Sequence, residues 1–336
     1  MLLEPQRENL AEYSESFNSW GNGSAYVTAN QAISPDGNLT ADQLLKTAAF
    51  QQVYEAATTV IGSTYCFSIF AKKNTLDRIT LRIAGGGYDV RKCLNLNDLT
   101  IVSGGGNQTG FVEAKVEQYP NDWYRFTVIA TVNNTATALN VYAGKDNVTE
   151  SGNIYVWGAQ FELGDYSTSY TPNLSTGSTT RSADICNSAG TSAEFNDSEG
   201  VLFAEVEFLD NANTGYISVS DGTADNRCII YSTANQIVVA TKSGGSGISK
   251  SATGTPTNLN KIAVAYSSSG SKFFLNGSNE TGTGSFSTTP RVFAANTLDQ
   301  INFDISDGSN DLYARVKQVI YFNEALSDSE LQTLTS

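Results

Sequence analysis

The chain of 336 residues contains no histidine. That absence removes Ser-His-Asp and Cys-His nucleophilic systems, imidazole general bases, and His-ligated zinc or haem. Charge is also scarce: Asp, Glu, Lys and Arg make up 16% of the residues, against roughly a quarter in ordinary domains. The charge that is present lies on one side, with 20 Lys+Arg against 34 Asp+Glu and a net of −14. An acidic surface repels phosphate backbones and anionic lipid, so neither nucleic-acid binding nor membrane insertion is expected. No apolar run approaches the ~20 residues that cross a bilayer. The stretch 1–12 carries early charges and no apolar segment, unlike a signal peptide. Cys66, Cys93, Cys186 and Cys228 show no C-x-x-C spacing, which weakens zinc and thioredoxin readings. They are expected as buried free thiols, and the sequence assigns no disulfide pairing.

What is there is β-structure. Hydrophobic residues reach 40%, enough for real cores, and the length suits two domains. Short alternating or apolar runs recur, among them Thr64–Phe70, Arg78–Ile83, Trp123–Thr131, Ala136–Ala143, Val201–Leu209 and Lys261–Tyr266. Asp36-Gly37, Asp221-Gly222, Asn276-Gly277 and Asp307-Gly308 punctuate them as turns, because glycine takes positive φ without strain. One segment conflicts with this pattern. Ala41 to Thr58 has helical propensity, and Leu45, Ala49, Val53 and Ala57 fit one helix face. Near the end, Ser327 to Glu330 has capping-box spacing before Leu331 and Leu334. The expected fold class is all-β: two tandem β-sandwiches of jelly-roll type with a short C-terminal helical turn. The polar stretch 173–180 is the expected linker, between domains at 1–172 and 181–336. No 20–50-residue repeat is visible, so a solenoid or propeller is not expected.

Several phrases resemble a module common in tailed-bacteriophage virion proteins, in tail fibres, tail-tip proteins and head spikes. They are LLEPQRENLAEYSESFNSW at 2–20, SPDG at 34–37, YPNDWYRFTV at 119–128, IYVWGAQFELGDYSTSYTPN at 154–173 and TTRSAD at 179–184. The resemblance implies a jelly roll similar to carbohydrate-binding modules, in which the counterpart of Ala41–Thr58 is extended. Strand is therefore expected there. The second half more loosely resembles a concanavalin A-like or laminin-G-like sandwich, through GVLFAEVEF at 200–208, KIAVAYSSSGSKFFLNG at 261–277 and VKQVIYFNEALSDSELQTL at 316–334. By analogy the partners are other virion proteins and a host-surface glycan. The assembly is a homo-oligomer, usually a trimer, made in the host cytoplasm and displayed on the virion surface. In many relatives a longer N-terminal part anchors the module. Here it begins at residue 2, so the anchor is expected on another chain or in the first sandwich itself.

Glu205 and Glu207 alternate on one strand face, roughly 6.5–7 Å apart by strand rise, as a glycosidase pair would require. Asp210 falls off that alternation, and Leu202, Ala204, Val206 and Phe208 form the opposite, core face. The favoured reading places both glutamates on a plain solvent face, and no catalytic residue is assigned. Sugar rings stack on exposed aromatics. Trp123 and Trp157 sit in apolar phrases and are expected in the core, whereas Trp20, Tyr26 and Tyr88 lie near glycines as candidate carbohydrate contacts. Asp304, Asp307 and Asp311 are candidate calcium ligands, with Asp221 and Asp225 flanking another turn, although aspartate also forms turns by itself. Apart from possible calcium, no cofactor is expected. The runs Gly85–Gly87 and Gly104–Gly106 lack the context of a phosphate loop and read as loops. N-x-Ser/Thr triplets at Asn22, Asn107 and Asn147 are expected by chance. The leading expectation is a non-enzymatic adhesive virion protein. A polysaccharide depolymerase and a purely structural capsid or tail adaptor are the alternatives.

Overall fold

A computed structural model describes residues 1–209, 211 and 215–336. Backbone contacts divide the chain into a first unit, Gln6–Ser182, and a second unit, Ala183–Ser336 joined by Met1–Pro5. Both are built from antiparallel sheets, as alternating apolar residues and glycine turns dictate.

In the first unit, a six-stranded sheet runs in the order Phe111–Tyr119, Trp123–Thr131, Thr64–Lys73, Gly152–Leu163, Ala41–Lys46, Val27–Ala32. A five-stranded sheet follows the order Val53–Thr58, Ala136–Ala143, Arg78–Gly85, Tyr88–Asn95, Ile101–Ser103. Their inner faces supply Phe67, Ile69, Leu81, Ile83, Val90, Phe126, Val128, Leu139 and Val141 to one core. Burying a side chain of this size contributes about 1.5–3 kcal/mol. The ambiguous segment is two strands, Ala41–Lys46 and Val53–Thr58, one in each sheet. Helical propensity loses to packing here: as strands, Leu44, Val53 and Ala57 reach the inter-sheet core.

The outer face of the six-stranded sheet is closed by chain that crosses it. Gly158 has φ +63° and lies in a bulge between Trp157 and Gln160. The bulge keeps Ile154, Val156, Ala159 and Phe161 in the core and turns Trp157 outward. Trp157 joins Phe70, Trp123 and Ala41 in a separate buried cluster, packed by Tyr119, Tyr155 and Tyr170. Next to it a buried polar row receives the segment 164–173. Glu162 accepts from Thr168 N (2.9 Å) and Thr168 Oγ1 (2.6 Å), and Gln160 Oε1 accepts from Thr171 N (2.7 Å). Arg125, also buried, donates to the Thr168 carbonyl (2.5 Å) and to Ser68 Oγ.

Asn9 clamps the same segment. Its Nδ2 donates to the carbonyls of Ala159 (3.0 Å) and Thr171 (2.8 Å), and its Oδ1 accepts from Ala11 N and Phe161 N at 3.0 Å. Asn173 in turn donates to the Asn9 carbonyl (3.3 Å). The expected linker 173–180 is therefore part of the first unit. Asn173 is buried, and Thr179–Arg181 pairs with Arg7–Asn9. The expected start at residue 1 also changes, because Leu2 and Leu3 pair with Arg315 and Ala314 at the edge of a second-unit sheet.

In the second unit the six-stranded sheet is Leu2–Leu3, Ala314–Phe322, Gly200–Phe208, Asn260–Ser267, Gly270–Leu275, Ser278–Asn279. The five-stranded one is Ser246–Thr253, Gln236–Ser243, Arg227–Thr233, Tyr216–Ser220, Gln300–Asn302. Leu202, Val206, Ile217, Ile230, Val239, Val264 and Phe273 fill the space between. Asn276 and Gly277, at φ +48° and +80°, make the two-residue hairpin turn their sequence announces. The C-terminal helix Asp328–Thr335 starts with a complete capping box between Ser327 and Glu330. Its Leu331 is buried on the outer face of the six-stranded sheet, against Val201, Phe203, Ala263 and Phe274.

Asn9→Ala strands two buried N–H groups and two carbonyls. We expect the unfolding transition of the first unit to lose about 3 kcal/mol, measured by urea denaturation against the unchanged transition of the second unit.

Candidate functional site

The structure buries Trp20, Tyr88, Glu205 and Asp304, leaves Tyr26, Glu207 and Asp311 half-buried, and exposes Asp307. Trp20 is 2% exposed. It packs on Phe17 at 5.0 Å and donates from Nε1 to the Glu12 carbonyl (2.9 Å). Tyr88 is equally buried, its hydroxyl 2.5 Å from Thr137 Oγ1. The run Gly85–Gly87 leads straight into a strand that begins at Tyr88, and alternation turns that ring inward with Val90. Tyr26 is half-buried against the same core. None of the three is an open stacking platform. Trp123 and Trp157 are buried as expected, but in the outer cluster.

The two glutamates are committed elsewhere. Glu205 is buried and 2.6 Å from Lys317 Nζ, and Glu207 is 2.6 Å from Arg315 Nη1. Their sheet face is not simply solvated, since Val201 and Phe203 on the same face lie under the C-terminal helix. Asp210 lies outside the described residues.

The aspartates behave as turn formers. Asp307 accepts from Ser309 N (3.1 Å) and Oγ (2.6 Å), and Asp304 from Ser306 N (2.5 Å) and Asn187 Nδ2 (2.7 Å). Burial pushes the Asp304 carboxyl up, with the charges of Asp311 and Asp307 adding to it, while the Ser309 hydroxyl holds Asp307 down. Among the described residues no group of three His, Cys, Asp or Glu side chains is placed to hold a metal ion. Asp221 is likewise taken by Thr223 and Asn226, and Asp225 pairs with Lys242 at 3.3 Å. Cys66, Cys93 and Cys228 are buried free thiols, each pushed up by burial, and Cys186 is free and half-buried.

The outward face of the five-stranded sheet in the first unit carries a different constellation. Cross-strand register sets Tyr54, Asn140, Arg82 and Arg91 in one row. The next row is Ala56, Ala138, Ala84 and Asp89. Tyr54 is 43% exposed. Gly21 holds its strand through two backbone hydrogen bonds, 2.8 and 3.1 Å, and a Cβ there would enter the Tyr54 ring at 2.3 Å. At the other end of the rows Asp89 receives both guanidiniums. Arg82 Nε and Nη2 donate at 2.8 and 3.3 Å, and Arg91 Nε and Nη2 at 2.9 and 2.6 Å. Arg82 Nη1 reaches Asn140 Oδ1 (3.1 Å), and Arg91 Nη1 reaches the buried Asp146 (2.9 Å). Burial works against the Asp89 charge, but Arg91 and Arg82 prevail and hold its carboxyl below the ordinary value of 3.8.

The loop after Ile101–Ser103 walls this end. Gly104 N donates to the Arg91 carbonyl (2.9 Å) and Gln108 N to the Asp89 carbonyl (3.0 Å). Gly106, at φ +72°, has no room for a side chain, since a Cβ would lie 2.2 Å from the Asp89 carbonyl oxygen. The run Gly104–Gly106 is thus a loop, as expected, and its glycines permit close approach to the charged cluster. The sequence signals for this surface were the alternate charges in Arg82, Asp89 and Arg91. They are legible only after register is known.

A guanidinium has five N–H donors. Arg82 and Arg91 each direct three of them to Asp89, Asn140 or Asp146. Two donors on each remain, on side chains that are 23% and 18% exposed. The two arginines balance Asp89 and Asp146, so the cluster is neutral as a whole. The surface therefore combines an aromatic ring, a floor of alanines and fixed hydrogen-bond donors.

No protein-family profile matches the chain, and no curated protein matches it. Solved structures that resemble it include the CBM40 of Ruminococcus gnavus IT-sialidase bound to alpha2,3 sialyllactose. It is 14% identical with a TM-score of 0.35, over 42% of this chain and 84% of that one. The binding domain of botulinum neurotoxin serotype G matches at 14% and 0.32, over 45% of this chain and 37% of that one. Mouse laminin alpha1 chain domains LG4-5 match at 10% and 0.28, over 88% and 92%.

The lowered carboxyl gives a signed prediction. Asp89 contributes stability above its unfolded value of 3.8, and loses it as pH falls through the lower folded value. Asp89→Asn is expected to cost the first unit about 2 kcal/mol at neutral pH. The denaturation midpoints of variant and wild type should converge in acid, below the folded value.

Proposed function

We propose that the chain is a non-enzymatic glycan-binding protein of a bacteriophage virion, adhering to host-surface polysaccharide through the outward face of the first unit's five-stranded sheet. The observation that carries the binding reading is the exposed Tyr54 ring in register with the preorganised Arg82–Asp89–Arg91 cluster across an alanine floor. A pyranose offers an apolar CH face to the ring and hydroxyl oxygens to the guanidinium donors. Charge balance within the cluster favours a neutral sugar, which also suits a chain of net −14. The non-enzymatic reading is supported by Glu205 and Glu207, each held by a cation. The virion reading rests on the phage-like phrases at 2–20, 34–37, 119–128, 154–173 and 179–184. On that reading the partners are other virion proteins and further copies of the chain, at the virion surface.

Binding to purified host polysaccharides by the full chain tests the site. Tyr54→Ala should weaken binding about tenfold, in line with ~1.4 kcal/mol of lost stacking and buried area, while Tyr54→Phe should retain it. Wild-type affinity in Tyr54→Ala would sink the site. Reducing ends released from the same polysaccharides, and lost in Glu205→Gln or Glu207→Gln, would sink the non-enzymatic reading. Immunogold labelling of phage particles with antibody to the chain tests the virion assignment.

A further inference from the structure

The second unit contains a polar cleft of about 580 Å³ beside the strand Gly270–Leu275. That volume lies within the range of small-ligand sites, which are usually lined by apolar and aromatic side chains. This cleft has neither. Ser269, Asn279, Thr281, Thr283 and Ser287 line it, with Lys272 and Asp328 forming an ion pair of 2.6 Å.

Strand pairing adds backbone groups to this lining. Gly270–Leu275 is paired along one side by Asn260–Ser267. On its other side Ser278–Asn279 covers only Phe274 and Leu275. Phe273 N then donates to Thr281 Oγ1 (3.0 Å), and the Phe273 carbonyl accepts from Glu280 N (2.8 Å). At the far end the Ser287 carbonyl closes on Gly270, where a Cβ would meet it at 2.3 Å. Between these two closures stands Ser271, 1% exposed, at the base of the cleft. Antiparallel alternation turns its N–H and C=O to the same side as those of Phe273, which is the side of the cleft.

We propose that this cleft receives a single neutral sugar residue, as the end or a branch of a glycan chain. The inference rests on the glycan-binding reading above but concerns a separate site in the other unit. Its lining offers hydroxyls and an amide that both donate and accept, and the charges of Lys272 and Asp328 cancel. Beyond that pair, Lys250 Nζ stands at the rim, where a Cβ on Gly282 would meet it at 2.8 Å, and the acidic Glu280 lies two residues from the same glycine, so one charge of each sign is again present. A compact polyol replaces the hydrogen bonds of displaced water, which is the requirement for binding in a polar pocket. Both side chains of the ion pair are well exposed, at 38% and 62%, so breaking it should leave the fold intact.

The test uses the full chain, ¹⁵N-labelled, titrated with the methyl glycosides of glucose, galactose, mannose and N-acetylglucosamine, and with methyl glucuronide. We expect at least one neutral glycoside to shift the amide resonances of Ser271 and Thr283. Its affinity should fall tenfold or more in both Lys272→Met and Asp328→Asn, with melting temperatures unchanged, and also in Thr283→Val. Tyr54→Ala should leave this binding as it is. The proposal is overturned if none of the neutral glycosides moves those amides, if the variants bind as the wild type does, or if the glucuronide binds more tightly than the glucoside. Loss of polysaccharide binding in Tyr54→Ala reports on the other surface alone, so either reading can fail while the other stands.

Discussion

A β-sheet has two faces, and a sandwich can bury only one face of each sheet in its central core. What becomes of the outer faces governs the rest of this molecule. In the first unit the outer face of the six-stranded sheet is sealed twice. The Phe70–Trp123–Trp157 cluster seals one part, and the Gln160, Glu162 and Arg125 row seals the other under segment 164–173. In the second unit the C-terminal helix covers Val201 and Phe203. On the outward face of the first unit's five-stranded sheet Tyr54 and Ala56 stay exposed, with Gly21 against the tyrosine ring. The candidate site lies where the fold leaves a patterned face open.

The covering devices also explain what the phage-like phrases encode. Asn9 in the first phrase and Trp157, Gln160, Glu162, Thr168 and Asn173 in the fourth are all buried. Their side chains lock a crossing segment onto a sheet, and an amide or carboxylate in that position cannot be exchanged without leaving buried partners unsatisfied. The resemblance is therefore carried by architecture. In the proposed binding role ligand choice would fall to other residues, Tyr54, Arg82 and Asp89, which lie outside every one of those phrases.

Period-two alternation made the strands legible, and glycine at positive φ made the turns legible, as did the Ser327 capping box. At Ala41–Thr58 propensity points to helix and the resemblance to strand, and two strands form. Exposure was far less legible. Trp20 and Tyr88 stand beside glycines, a pattern that suggests loops, yet one ring enters the core from a short turn and the other from the first residue of a strand. Tyr54 was hidden in an alanine-rich segment whose helical spacing masked a strand. The contact-based units take residues 1–5 into the second and 173–180 into the first because both stretches make pairings across more than 150 residues of sequence, which no local composition reveals.

The acidity of the chain acquires a local meaning from the two surfaces. Net charge is −14, yet Arg82 and Arg91 offset Asp89 and Asp146, and Lys272 offsets Asp328. Within about 8 Å, the screening length at physiological salt, a ligand feels the balanced cluster more than the whole chain. An anionic polysaccharide would meet the general repulsion first and find no compensating excess of cations at either surface. A neutral sugar meets neither. Each such contact is weak, since a sugar exchanges water hydrogen bonds for protein ones at small net gain. Where copies are linked, effective concentration multiplies weak contacts into firm adhesion. Neutral, shallow and repeated contact is thus the form of adhesion that this composition permits.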